Sequence, residues 1–131
     1  MIKLLCLLLL YLPTATHALA ADPIDNAAEQ LKSGNVHELA KSFAPSVDMS
    51  ILNVDGTFTA AKAETELSDF FSKNKVKSVS ILHRVESNPN IRFAVLLLST
   101  NTGVYRTSIS FKLINGVFLL NDLHIEVEKK G

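Results

Sequence analysis

Residues 91–127 read IRFAVLLLSTNTGVYRTSISFKLINGVFLLNDLHIEV, and this stretch decides the fold. Apolar and polar side chains alternate over most of it, which is the period of β-strands. The alternation breaks at Asn101-Thr102-Gly103 and at Asn115-Gly116, which are turn residues. Together with residues 77–86, which alternate before the turn residues of 87–90, the pattern predicts strands over 77–86, 91–100, 104–114 and 117–127. Such short connections favour an antiparallel meander with a type I′ turn at Asn115-Gly116.

The predicted strand 91–100 differs from its neighbours because it is apolar on both sides. One side carries Phe93, Val95 and Leu97, and the other carries Ala94, Leu96 and Leu98. The strand after it has one apolar side and one side that is polar. A strand with two apolar sides is typical of a central position or of one covered by a partner.

Two helices are predicted near the start of the domain. The first begins at the N-cap Asp22 with Pro23 in its first turn, and it ends at Ser33-Gly34. The second begins at Asn35, and Glu38 three residues later completes a capping-box pattern. Its apolar stripe includes Phe43 and stops at Ala44-Pro45, so we expect Phe43 to lie on the helix and to point inward.

A small hairpin and a third helix are predicted between these helices and the meander. Residues 47–52 and 57–59 have strand character around the turn 53–56. Thr59 is a suitable N-cap for a helix that ends near Lys73-Asn74. The apolar side chains of that helix recur at helical spacing, so one of its faces packs inward.

The first twenty residues predict export. Lys3 precedes an apolar run that ends at Leu12, and Ala18-Leu19-Ala20 forms a small-x-small cleavage site. The run is shorter than the roughly 20 apolar residues that span a bilayer. We therefore expect a signal peptide at residues 1–20, a single domain at residues 21–131, and no stable membrane insertion after cleavage. The destination would be the periplasm or the medium.

Composition excludes some functions and leaves others open. The chain has 13 basic and 13 acidic residues, which are interspersed rather than clustered. A nucleic-acid binder would carry a basic face, so nucleic acid is not an expected partner. The single cysteine, Cys6, lies inside the predicted signal peptide, so the exported domain would form no disulfide. His37-Glu38 begins like a zinc motif, but Lys41 stands where the second histidine is required, and no metal or cofactor site is predicted.

The order of elements resembles the α+β cone of the nuclear transport factor 2-like superfamily, in which two or three N-terminal helices pack on a curved antiparallel sheet. Several short motifs also look like those of a family of small exported bacterial proteins of unknown function within that superfamily. These motifs are LKSGN at 31–35, LAKSF at 39–43, FFSKN at 70–74, GVYR at 103–106 and LLNDLHIE at 119–126. The resemblance implies a sheet that often encloses an apolar pocket, which isomerases and dehydratases of the superfamily use for catalysis. Fold alone does not choose among these roles.

Four polar residues are candidates for such a pocket. His83 is predicted to share a face with Val79 and Ile81, where it would be an acid or base or a hydrogen-bonded structural histidine. Tyr105 would place its hydroxyl at the pocket mouth or in water. Asn121 would line the pocket or mark a bulge, and Asp48 would point inward from the first strand or be an ordinary edge residue.

The opposite sheet face is a candidate interface. An exposed apolar patch there would be rimmed by charged residues such as Arg84, Arg92, Arg106 and Glu126, unless curvature or the C-terminal tail covers it. Members of the superfamily often form dimers through this surface. The side chains predicted for the patch are Leu82, Leu96, Leu98, Phe118 and Leu120.

The sequence therefore favours a non-enzymatic exported binding or interaction domain. It would hold a small apolar ligand or a protein partner and form a homodimer through the open sheet face. The alternative is a cofactor-free enzyme of the isomerase or dehydratase type, with His83, Tyr105 and Asp48 around an apolar pocket. A core filled by Phe43, Phe70, Phe71, Ile109 and Phe111 would argue against the enzyme.

Overall fold

A computed structural model describes residues 22–129 of the chain. The predicted signal peptide, with Cys6, lies outside the described residues. Within residues 22–129, three helices and six strands follow one another in the order α1, α2, β1, β2, α3, β3, β4, β5, β6. Their bounds are α1 Pro23–Ser33, α2 Val36–Ala40, β1 Phe43–Ile51, β2 Val54–Thr59, α3 Ala60–Lys73, β3 Val76–Val85, β4 Ile91–Thr100, β5 Gly103–Ile114 and β6 Val117–Val127. Across residues 22–129, no helix has the length and apolar character needed to cross a membrane.

All six strands form one sheet in the order β2-β1-β6-β5-β4-β3. The meander from β3 to β6 is antiparallel, as predicted from residues 77–127. The hairpin of β1 and β2 joins this meander through β6, and β1 runs parallel to β6. The sheet is therefore mixed and not antiparallel throughout, because β1 and β6 are parallel while the other neighbouring strands are antiparallel.

The predicted helix caps are confirmed. The Asp22 carboxylate accepts the backbone N–H of Ile24 at 2.8 Å, and the Thr59 hydroxyl oxygen accepts that of Lys62 at 3.2 Å. Gly34 ends α1 in the left-handed region with φ of 72°, a conformation that favours glycine. These caps satisfy backbone groups at the helix ends, which lack partners within the helix.

The second helix is shorter than its apolar stripe predicts. It ends at Ala40, and Phe43 is the first residue of β1, where it pairs with Leu120 of β6. Phe43 is buried on the strand, so pairing with the sheet places in the core the side chain that the helical pattern predicts to point inward. The turn of the following hairpin lies at Leu52-Asn53, earlier than the predicted 53–56, and Leu52 adopts a φ of 52°.

The helices pack against one face of the sheet, here called the inner face, and the core lies between them. α1 contacts β3 and β4, and α3 contacts β1 and β2. The ring of Phe70 meets those of Phe71 and Tyr105 edge to face, with centroids 5.2 and 5.1 Å apart. The other face, here called the outer face, carries no helix in the described part of the chain.

Candidate functional site

The space between the helices and the inner face is filled by side chains. Five large apolar residues from β1, α3 and β5 are at most 7% exposed, and they meet in one hydrophobic cluster. Filled cores of this kind leave little room for a buried ligand. The five residues are Phe43, Phe70, Phe71, Ile109 and Phe111.

Tyr105 lies on this inner face, but its hydroxyl is held by other residues of the protein. The oxygen is 3.2 Å from Oδ1 of Asn74 and 3.0 Å from Oγ1 of Thr102. Asn74 caps α3, and Thr102 belongs to the turn between β4 and β5. Tyr105 therefore joins a helix end to a turn, and its ring is buried against Phe70.

His83 does not share a face with Val79 and Ile81, which corrects the predicted pocket. The pairing of β3 with β4 shifts between Ile81 and His83, so that Leu82 is an extra residue. Such a β-bulge reverses the alternation that follows it. Ile81 pairs with Leu96 on the inner face, whereas His83 pairs with Val95 on the outer face, where its side chain is exposed.

Asn121 also marks a bulge. Leu120 pairs with Phe111 and Asp122 pairs with Ser110, so Asn121 is left without a partner residue in β5. Its Oδ1 is buried and has no hydrogen-bond partner among the described residues. The bulge carries β6 from one register to another and keeps both Leu120 and Leu123 in the core.

Asp48 lies on the outer face of β1 and is exposed. Its Oδ1 accepts a hydrogen bond from the Thr57 hydroxyl at 2.6 Å, across the hairpin. Asp48 and His83 are separated by four strand spacings of about 4.8 Å, or about 19 Å in all, while Tyr105 is on the other face. The structure thus does not bring His83, Tyr105 and Asp48 around one cavity.

The predicted interface residues are also divided between the two faces. Leu96, Leu98 and Leu120 are 0% exposed because they point into the core, so they do not form an exposed patch. Phe118 is partly buried near the end of the β5–β6 hairpin. Leu82 is exposed, at 48%, since it lies in the bulge of β3.

The apolar side chains on the outer face come instead from the other side of β4. Phe93, Val95 and Leu97, here called the outer stripe, lie on the outer face and are only partly buried. Ser110 and Ser108 of β5 are the pairing partners of Phe93 and Val95. The sequence indicated that β4 is apolar on both sides, but it could not say which side would face the helices.

A polar depression of about 420 Å³ lies beside the outer stripe. It is lined by Phe93, Ser108, Ser110, Asp122 and His124, together with Ile109. Nε2 of His124 is 2.6 Å from Oδ1 of Asp122, a short contact without the geometry of a hydrogen bond. The residues 22–129 contain no group of three or more His, Cys, Asp or Glu side chains that could hold a metal ion.

A charged cluster joins α1 to β3 on the helical side. Nη1 of Arg84 lies 3.6 Å from the Asp22 carboxylate, and Nη2 bonds to Asp25. The hydrogen bond that Arg84 donates to Asp25 raises the pKa of Arg84 above its ordinary value. Burial opposes ionisation of Asp22, but the N–H of Ile24 and the nearby charge of Arg84 help to hold the pKa of Asp22 below its ordinary value. Arg84 thus links β3 to the start of α1 through ionic contacts.

A second hollow, of about 300 Å³, opens at the end of the β5–β6 hairpin beside α1. Phe111, Val117 and Phe118 line it together with polar groups of α1 such as Gln30. The Arg92 guanidinium lies 4.6 Å from the ring centroid of Phe118, close enough for a cation–π interaction.

The fold matches solved structures over most of its length. A DUF4783 family protein from Bacteroides fragilis is 26% identical to this chain, with a TM-score of 0.73, and the match covers 78% of this chain and 95% of that one. A second DUF4783 family protein, from Bacteroides uniformis, is 24% identical, with a TM-score of 0.77, and the match covers 81% of this chain and 97% of that one. An NTF2-like protein of unknown function from Cytophaga hutchinsonii is 14% identical, with a TM-score of 0.57 and coverage of 82% and 88%.

A comparison with curated proteins finds no match. The structural neighbours confirm the expected nuclear transport factor 2-like fold. The family described as Domain of unknown function (DUF4783) matches residues 24–126, which is nearly the whole described part. Its match agrees with the resemblance seen in the short motifs between residues 31 and 126. The chain belongs to the DUF4783 family.

Proposed function

We propose that this chain is an exported, non-enzymatic interaction domain that forms a homodimer through the outer stripe. The observation that carries the proposal is the placement of Phe93, Val95 and Leu97 on a sheet face without a helix in the described residues. Contiguous apolar side chains on a surface mark interaction sites when polar residues surround them. The filled core supports an interaction role over an interior binding role.

The residues around the outer stripe suit contact with a second copy. Arg106 of β5 and Glu126 of β6 are paired residues on this face and carry opposite charges. A two-fold interface brings the same surface of each copy together, so a patch that carries both signs can be complementary to itself. The serines of β5 supply polar groups at the border of the stripe.

The oligomeric state of the purified protein tests this proposal. Val95→Glu puts a charge in the middle of the outer stripe, where a dimer would bury it without a partner, so the variant is expected to be monomeric. Val54→Glu is the matched control, since Val54 is 40% exposed on β2, away from the stripe. Sedimentation velocity over a range of concentrations would contradict the proposal if the wild-type protein stays monomeric or if Val95→Glu still dimerises.

Export rests on residues 1–20. Cleavage after Ala20 would leave Asp22, the cap of α1, in the mature chain, so processing is compatible with the folded domain. The mature domain would need no cofactor, would not bind nucleic acid and would not insert into the membrane. N-terminal sequencing of protein recovered from the periplasm and the medium checks the cleavage site, and recovery of uncleaved protein in the cytoplasm would contradict it.

A small apolar ligand is a second candidate function, supported by the hollow at Phe111, Val117 and Phe118. Enlarging the Val117 side chain, as in Val117→Trp, would fill this hollow and should abolish any rise in melting temperature that an apolar probe such as toluene produces. The alternative of an isomerase or dehydratase has no such support, because His83, Tyr105 and Asp48 do not line one cavity.

A further inference from the structure

We infer that a groove on the helical side of the protein binds a small organic acid that carries a carboxylate and an apolar chain. The groove has a volume of about 550 Å³, within the range of 300–1,000 Å³ that is typical of small-molecule sites. It lies between the corner of α1 and α2, the second half of α3 and the start of β3. Its walls come from residues 32–37, from Ser68, Phe71 and Ser72, and from Lys75 and Val76.

The charge of the groove favours an anion. Lys32 and Lys75 line it, and none of the Asp or Glu residues in the described part of the chain does. Neither lysine forms an ion pair with any residue in the range 22–129, unlike Lys73, whose ammonium group contacts Asp69 at 3.5 Å. Two unpaired ammonium groups at one groove attract a carboxylate, and each can form a charge-assisted hydrogen bond with it.

The neutral side chain of Asn35 also has protons to offer. Oδ1 of Asn35 already accepts the N–H of Glu38 at 3.2 Å, which leaves the amide NH₂ available as a donor. With the two lysines, this amide gives the groove more free donors than a neutral ligand would need.

The groove has an apolar floor for the rest of the ligand. The side chains of Val36 and Phe71 are each 7% exposed and belong to the core, and Val76 packs against it. A hydrocarbon chain laid on this floor would lose its contact with water, and this loss stabilises binding. A ligand with a charged end and an apolar chain therefore fits the groove better than a free inorganic anion.

Hydrogen bonds order the main chain on both sides of the groove before any ligand arrives. At the α1–α2 corner, the N–H of Asn35 bonds to the carbonyl of Gln30 at 2.8 Å, and Gly34 takes the left-handed conformation. At the other side, the N–H of Lys75 bonds to Oδ1 of Asn101 at 2.8 Å, and the Lys75 carbonyl accepts the N–H of Asn101 at 3.1 Å. Less backbone ordering is then needed on binding.

Titration of the isotope-labelled purified protein with sodium octanoate, followed by amide chemical shifts, tests the inference. We expect saturable shifts confined to residues 32–37 and 68–76. Lys32→Gln and Lys75→Gln should each weaken binding about threefold to fivefold. Lys112→Gln makes the same charge change on the outer face and should leave the affinity unchanged, since Lys112 is exposed far from the groove.

Titrations with octanol and with acetate measure separately how the apolar chain and the carboxylate contribute to binding. Octanol has the chain without the charge, and acetate has the charge without the chain, so each should bind at least about tenfold more weakly than octanoate. The inference is overturned if octanoate causes no saturable shift, if octanol binds as well as octanoate, or if the lysine variants bind unchanged. The groove is on the helical side, so these outcomes leave the dimer through the outer stripe untouched.

Discussion

Thr107 offers a sharp test of how the core is packed, through the substitution Thr107→Val. The residue is 0% exposed on the inner face of β5, between Leu96 and Ile125 in the pairing register. Its Oγ1 is buried and has no hydrogen-bond partner in the described residues. Burial of a hydroxyl without a partner costs about 1–3 kcal/mol in proteins. Valine has nearly the same shape and replaces the hydroxyl with a methyl group, so the cost is removed without opening a cavity.

We expect Thr107→Val to raise the free energy of unfolding by about 1 kcal/mol, which is the lower end of that range because a hydroxyl can shift slightly to relieve its own burial. For a domain of this size, the melting temperature should rise by about 4 °C. Urea unfolding followed by circular dichroism measures the free energy, and the slope with urea should stay unchanged because the exposed surface does not change.

Thr107→Ser is the matched control, since it keeps the hydroxyl and removes the methyl group. It should lower the free energy of unfolding by about 1 kcal/mol. If valine leaves the protein equally stable or less stable, the Thr107 hydroxyl has a hydrogen-bond partner in solution and the reasoning is refuted.

Three further predictions concern the ends of the helices. Arg84→Gln should lower the melting temperature near pH 7, and the difference from the wild-type protein should shrink below about pH 4. The lowered pKa of Asp22 stabilises the fold at pH values above the unfolded-state pKa of this residue, and the contribution disappears as the pH falls through its folded-state pKa. Melts across this range measure it, and a difference independent of pH would contradict it. Gly34→Ala should lower the free energy of unfolding in urea by about 1 kcal/mol because φ is 72° at this position; an unchanged midpoint would contradict the strain. Tyr105→Phe should cost about 1 kcal/mol through its lost contacts with Asn74 and Thr102, and a double-mutant cycle with Asn74→Ala should show coupling.

The local features of the fold were predictable because they depend on neighbouring residues. Caps such as Asp22 and Thr59, and the Asn115-Gly116 turn with φ of 51° and 81°, require only a side chain and the few backbone groups next to it. The strands of the meander follow from a period of two that is regular over most of their length. Helix and strand types were therefore confirmed over most of the described chain.

The candidate site was less predictable because it depends on which face each side chain occupies. A bulge at Leu82 turns His83 to the outer face, and a bulge at Asn121 changes the alternation of β6. One extra residue reverses every position that follows it, and no residue type marks such an insertion reliably. The faces of β4 were ambiguous for another reason, since both are apolar and only the position of the helices distinguishes Leu96 from Val95.

The parallel pairing of β1 with β6 has a consequence for the order of folding. β1 can complete its hydrogen bonds only when β6, at Val117–Val127, is also available to fold. Pairings between residues so distant in sequence form slowly, because the intervening chain must first lose its conformational freedom. Without β6 the β1–β2 hairpin is detached from the meander, so the six-stranded sheet is completed only when residues 117–127 join it.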